Sequence, residues 1–170
     1  MREVDLMLVE EMTLEECYRA LKGTNLGRLG CAHADQPYIV PIFFAYDGKH
    51  LYGSNIYCFS TIGLKIEWMR ANPLVCLEID DVKNSSNWMS VVVLGHYQEL
   101  VDTPEYEVAR RHAYDLLSER ALWWEPAAVP GVHAEQSQTF SPIYYRIFID
   151  HLSGRRGFGE PGEIQKELLR

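Results

Sequence analysis

The chain has 170 residues, of which 47% are apolar and 24% charged, with a formal net charge of −8. That is enough for one domain with a hydrophobic core, and the composition is not that of a disordered chain. The 16 basic residues are scattered, which speaks against a nucleic-acid binder. No apolar stretch is long enough to span a bilayer and the acidic start is unlike a signal peptide, so a cytoplasmic location is expected.

In chain order, Thr13 followed by Glu16 forms a capping-box pattern that predicts a helix over about 14–22, ended by Gly23, with Leu14, Cys17, Tyr18 and Leu21 on its inner stripe. Gly27 to His33 predicts a strand, and Ala34-Asp35-Gln36-Pro37 a turn. Tyr38 to Tyr46 is a second β-rich run. Its Pro41 cannot donate to a ladder and belongs at an edge, a bulge or a rim. Asp47-Gly48 predicts a two-residue hairpin, with His50 to Gly53 returning as the next strand. A helix capped by Ser60 or Thr61 is expected to run to Ala71 and stop at Asn72-Pro73, with Ile62, Ile66 and Met69 facing the core.

Leu74 to Ile79 is a further strand, 80–87 a polar loop, and Trp88 to Leu100 a long strand with a bulge or bend at Gly95. Thr103-Pro104 starts a helix to about Ser118. A long connection with Trp123 and Trp124 leads to a last strand over 141–151, with Ile143, Tyr145, Ile147 and Ile149 on one face. Strands joined by a direct hairpin, with helices inserted between some of them, predict an α+β fold built on an antiparallel barrel with flanking helices. Residues 1–152 form the single expected domain and 153–170 a peripheral tail.

Cys17, Cys31, Cys58 and Cys76 make no C-x-x-C pair and read as buried thiols. The six His residues show no H-x-H or H-E-x-x-H spacing, so no metal site is expected. The strongest chemical signal is Ser60-Thr61-Ile62-Gly63-Leu64-Lys65. A helix start offers unpaired N–H groups and the positive dipole end, the hydroxyls add donors, and Lys65 stands one turn from Thr61. Ser54 and Asn55 are expected at the barrel rim above this helix, with Ile39-Val40-Pro41-Ile42 on the strand paired to theirs.

The order Gly27-Arg28-Leu29-Gly30, Pro37-Tyr38-Ile39-Val40-Pro41-Ile42, Leu51-Tyr52-Gly53-Ser54, Gly63-x-Lys65, Arg70-Ala71-Asn72-Pro73, Val75 to Asp80 and Trp88-x-Ser90-Val91-Val92-Val93-x-Gly95 resembles the FMN-binding proteins related to pyridoxamine 5′-phosphate oxidase, in the branch that includes nitroimidazole-resistance proteins. The likeness covers roughly 26–100, with an echo at Tyr145-Arg146-Ile147 and Ser153-Gly154-Arg155.

The resemblance implies a split β-barrel and a homodimer with FMN at its interface. Val40, Pro41 and Ile42 would face the ring and ribityl chain. Gly53, Ser54, Thr61 and Lys65 would hold the ribityl-phosphate end, with Asn55 and Ser60 beside them, and Trp88 would approach from the other subunit. Two departures bear on activity: no Arg directly precedes Lys65, and the chain lacks the substrate-binding ending of the oxidases. The expectation is thus a flavin-dependent oxidoreductase acting on a small molecule other than pyridoxamine phosphate. The alternatives are a non-catalytic FMN carrier or sensor, or the same barrel binding haem or a deazaflavin.

Overall fold

The computed structural model describes residues 8–48, 54–119 and 142–159. Eight antiparallel strands form one sheet: β1 (Leu8–Glu11), β2 (Leu26–His33), β3 (Gln36–Phe43), β4 (Ala45–Tyr46), β5 (Asn55–Ser60), β6 (Leu74–Asn84), β7 (Asn87–Glu99) and β8 (Ile143–Phe158). Hydrogen-bonded neighbours run β3-β2-β6-β7-β8-β5-β4, and β1 adds to β8. Because β3 and β4 are consecutive pieces of chain separated only by Phe44, the two ends of this path meet. The sheet is therefore a split barrel, as the resemblance implied.

Local chemistry explains most elements. Ala34 and Asp35 both adopt positive φ, 47° and 63°, and make the two-residue turn between β2 and β3. Helix α1 (Leu14–Gly23) opens on the capping box: the Thr13 N–H donates to Glu16 Oε2 at 2.8 Å and the Glu16 N–H to Thr13 Oγ1 at 3.3 Å. Cys17 and Leu21 are buried, whereas Leu14, expected on the inner stripe, is exposed. Helix α2 (Leu64–Ala71) buries Ile66 and Met69 and ends at Asn72, as expected from Asn72-Pro73. A 3-10 turn at Pro104–Tyr106 leads into α3 (Glu107–Ser118), which covers the outer sides of Tyr57 and Tyr144. Among the described residues no helix is long and apolar enough to cross a membrane.

The core runs through the barrel interior, where Leu29, Leu77, Val91, Val93, Tyr145 and Ile147 pack together. On β8 the inward face is the predicted one, with Tyr145 and Ile147 at 0% exposure. β8 bulges where the register shifts between Leu94 and Gly95, which is where the sequence placed a bend. A Cβ at Gly95 would collide with the Phe148 carbonyl oxygen, so only glycine lets the two strands approach there.

Several expectations are corrected. The hairpin after Asp47-Gly48 is not a two-residue turn: β4 pairs with β5 through Ala45↔Tyr57 and Tyr46↔Ile56, and Asp47 keeps an ordinary negative φ. The proposed strand at His50–Gly53 lies outside the described residues, as does the Trp123-Trp124 connection. β6 continues through residues expected as loop, because its pairing with β7 extends to Asn84 opposite Asn87. β8 runs on to Phe158, so 153–158 is not a peripheral tail. It pairs with β1 and β7, and Gly154 packs against Cys17 and Met12.

Replacing Gly95 with Ala is expected to cost about 2–4 kcal/mol by forcing the β7–β8 backbones apart. Denaturant unfolding measures the loss; a cost near zero contradicts this account of the bulge.

Candidate functional site

The site grows out of the place where the barrel is split. Continuing the β4–β5 register past Ala45↔Tyr57 would bring Ser60 opposite Ile42, but the pairing stops and β3 and β5 separate, touching without a ladder. Val40 and Ile42 point inward from β3, half-buried and buried respectively, while Pro41 points outward beside Arg28. Among the described residues β3 pairs only with β2, so its other edge is open along the split. Pro41 thus occupies the edge position its missing N–H demands.

α2 stands at the mouth of this opening, directly after β5. Its N-cap is Gly63 rather than Ser60 or Thr61, and no side chain caps it. The Ser60 hydroxyl donates instead to the Thr61 carbonyl at 2.8 Å. Segment 61–63 is therefore a short connection, and Ile62 is exposed, not in the core. Gly63 is extended, with φ of 171°, and a Cβ there would meet nothing. The first N–H groups of an α-helix have no intrahelical acceptor. Those of Leu64 and Lys65 face this open ground.

Lys65 is half-buried, and among the described residues no hydrogen bond or ion pair engages its ammonium. Its neighbours are the thiols of Cys31 and Cys58, and burial pushes its pKa down. Burial also raises both thiols, Cys58 to about 12, so neither is an anion at neutral pH. A desolvated cation facing neutral groups lacks the counter-charge that buried charges normally have. An anion at the helix start would supply it.

Ser54 and Asn55 are not part of this cluster. Asn55 begins β5, directly after Ser54, and Ser60 ends it, which separates Asn55 from Ser60 by roughly 17 Å at about 3.3 Å per residue. Ser54 is buried under α1, its hydroxyl donating to Tyr18 Oη at 3.3 Å and accepting from the Tyr46 hydroxyl at 3.5 Å. The expectation that they sit above α2 fails because the strand leading to α2 is β5 itself, not the one before it. Gly53 lies outside the described residues.

Trp88 is elsewhere again. It is half-buried on the outer face, paired with Gly157, where a Cβ would come within 2.5 Å of the indole Nε1. It does not plug the barrel. With Ser90, Val92, His151, Ser153 and Arg155 it lines a groove of about 720 Å³ on the outer face of β7 and β8, a size that suits a small organic ligand. The groove was not foreseen. Its signal was the outward alternation of Trp88, Ser90 and Val92 against residues of the supposed tail. The groove is on the outer face of the sheet, whereas Lys65 stands beside the buried thiols of Cys31 and Cys58.

With this geometry in place, comparison with known proteins is decisive on kinship. The sequence profile of the family described as pyridoxamine 5′-phosphate oxidase matches residues 13–156.

The chain belongs to the pyridoxamine 5′-phosphate oxidase family.

An uncharacterised protein of Rhizobium meliloti is 42% identical over 149 residues, covering 88% of this chain and 95% of the relative. The crystal structure of an FAD-binding protein from Mesorhizobium loti is 38% identical with a TM-score of 0.70, covering 89% of this chain and 98% of that one. A candidate 5-nitroimidazole antibiotic resistance protein from Bacteroides thetaiotaomicron shares the fold at 17% identity and a TM-score of 0.60, covering 95% and 98%.

Because the Lys65 amine is desolvated without an anionic partner among the described residues, Lys65→Met is expected to stabilise the ligand-free protein by about 1 kcal/mol while weakening anion binding. The sign with pH follows. Between the lowered folded value and the ordinary lysine value the folded chain holds fewer protons, so wild-type stability rises with pH through that window. The variant loses that rise. Thermal unfolding of both proteins across alkaline pH measures it, and equal slopes contradict the assignment.

Proposed function

We propose that this protein binds FMN, with the phosphate monoester on Lys65, the hydroxyls of Ser60 and Thr61 and the free N–H groups of α2. The observation that carries the proposal is the half-buried Lys65 cation, without an anionic partner among the described residues, at a helix start beside the split in the barrel. Val40 and Ile42 supply an apolar wall, and the open β3 edge at Pro41 offers backbone groups to a flat ring. The residues fit a flavin phosphate in charge and donor type. One lysine and one helix start suit a single phosphate. The Mesorhizobium loti relative, described as FAD-binding, supports a flavin in general.

The functional unit of this reading is a homodimer. Lys65 stands beside buried thiols and Trp88 on the outer face of the sheet, so in this reading Trp88 serves a flavin held by a second protomer. Among the described residues α3 covers the outer face over β4, β5 and the start of β8. Across β3, β2, β6 and β7 no described element covers the outward row Ile39, Gly30, Cys76 and Leu94, with Ile39 69% and Leu94 47% exposed. Such a face suits a second copy. A bound flavin supplies hydride and single-electron chemistry at its ring; the chain's own residues hold the phosphate, wall the ring and keep water from it. The proposed activity is a flavin-dependent oxidation or reduction of a small molecule.

The purified protein is expected to show paired flavin absorbance bands, and chromatography of the heat-released pigment to identify FMN. Lys65→Ala should weaken FMN binding about 10- to 100-fold, the loss expected for a charge-assisted contact, and leave riboflavin affinity nearly unchanged. Release of FAD instead corrects the nucleotide. A colourless protein that takes up neither flavin sinks the reading. Sedimentation is expected to give a dimer, with Trp88→Ala still dimeric but weaker for flavin; a monomer that binds flavin fully overturns the shared site.

A further inference from the structure

α2 is two turns long and carries Lys65 in its first turn and Arg70 in its last. Its buried contacts, Ile66 and Met69, set how deep it lies but resist rotation or sliding only weakly, because apolar packing has little directionality. Its start has no side-chain cap. Direction comes mainly from its other end. Arg70 Nε and Nη2 donate to the two carboxylate oxygens of Glu99 at 2.7 Å each, a parallel fork.

Glu99 is well fixed to receive them. It sits at the end of β7 opposite Tyr145, and its side chain is only 19% exposed. It also accepts the Tyr97 hydroxyl at 2.9 Å, and the Tyr97 ring is buried 5.3 Å from that of Tyr145. The hydrogen bonds from Arg70 hold the Glu99 carboxyl below the usual carboxylate range. A weaker second tie joins the Asn72 amide to the Ala32 carbonyl at 3.0 Å.

We propose that Arg70 and Glu99 are positioning residues of the anion site: their fork sets the rotation and axial placement of α2, and so where the Lys65 ammonium stands at the split. Arg70 itself is about 7.5 Å further along the helix axis than Lys65 and is engaged by Glu99, so it acts through the helix and not on the ligand. The proposal rests on the reading of Lys65 as the phosphate contact. It makes the preference for FMN over riboflavin depend on a pair at the far end of the helix.

The test is a double-mutant cycle on the full chain, with FMN and riboflavin titrated separately against flavin-free protein by fluorescence quenching. Arg70→Gln and Glu99→Gln are each expected to lower FMN affinity about tenfold and to change riboflavin affinity less than about twofold. Arg70→Lys keeps the charge but cannot form the fork, and should behave like Arg70→Gln. Lys65→Ala should cost much less FMN affinity in the Arg70→Gln background than in wild type, although the two side chains do not touch. Should Arg70→Gln fail to fold, Glu99→Gln, which keeps the side-chain shape, carries the same cycle. Parallel losses for both ligands, or additive effects of Lys65 and Arg70, overturn the proposal and leave the phosphate reading intact. A Lys65→Ala variant that still prefers FMN over riboflavin as wild type does sinks both.

Discussion

The architecture depends on one stretch of chain serving both ends of a sheet. Residues 36–46 pair first with β2 and then, past Phe44, with β5. Phe44 is fully buried at the turning point, and its N–H donates to the Asn25 carbonyl at 2.9 Å. A strand that changes partners closes the barrel but cannot satisfy both neighbours at once. The β3 edge is left open beside the end of β5, and the chain leaves β5 there to start α2. The opening, the helix start and Lys65 are consequences of the same bend.

Electrostatics then separates the two ends of the barrel. Under α1, Ser54, Tyr18 and Tyr46 satisfy one another, and the Tyr18 and Tyr46 rings stack at 5.6 Å. Arg156 is likewise shared between Glu10 and Glu16. At the α2 end the polar groups are left incomplete, with a cation among neutral thiols and the Leu64 and Lys65 N–H groups without a backbone acceptor among the described residues. Proteins tolerate such local deficits where a ligand completes them. Arg28 shows the contrast: it stands on β2 opposite Pro41, but Asp80 and Glu78 engage it, which leaves it little charge to offer an anion.

Much of this was legible in the residues. Capping chemistry at Thr13 and Glu16, the β2–β3 turn, the bend at Gly95 and the inner face of β8 each follow from local rules, and the structure has all four. The place of Lys65 at a helix start was readable because a lysine shortly after Ser-Thr and a glycine is a local pattern. Pairing across long distances was not readable. Asn55–Ser60 carries β-prone Ile56, Tyr57 and Phe59, but its partners, Ala45 and Tyr46 on one side and the distant Ile143–Phe148 on the other, are set only by the fold. Ser54 and Asn55 were misplaced for that reason. The Gly-rich end of β8 looked like a tail because its glycines serve close contacts, Gly154 with Cys17 and Gly157 with Trp88, that exist only after folding.

β8 has a further consequence for how the protein is made. It pairs with β1, β5 and β7, and its register joins Leu8 to Phe158. During synthesis β7 and β5 emerge long before it, each lacking the neighbour that covers one edge. Until β8 leaves the ribosome the nascent chain carries exposed strand edges and a barrel that cannot close. Such edges invite pairing with other chains, and contacts this distant in sequence form slowly. The barrel therefore cannot close before β8 is made, and any stall or truncation before residue 143 releases a chain whose sheet is open at its centre.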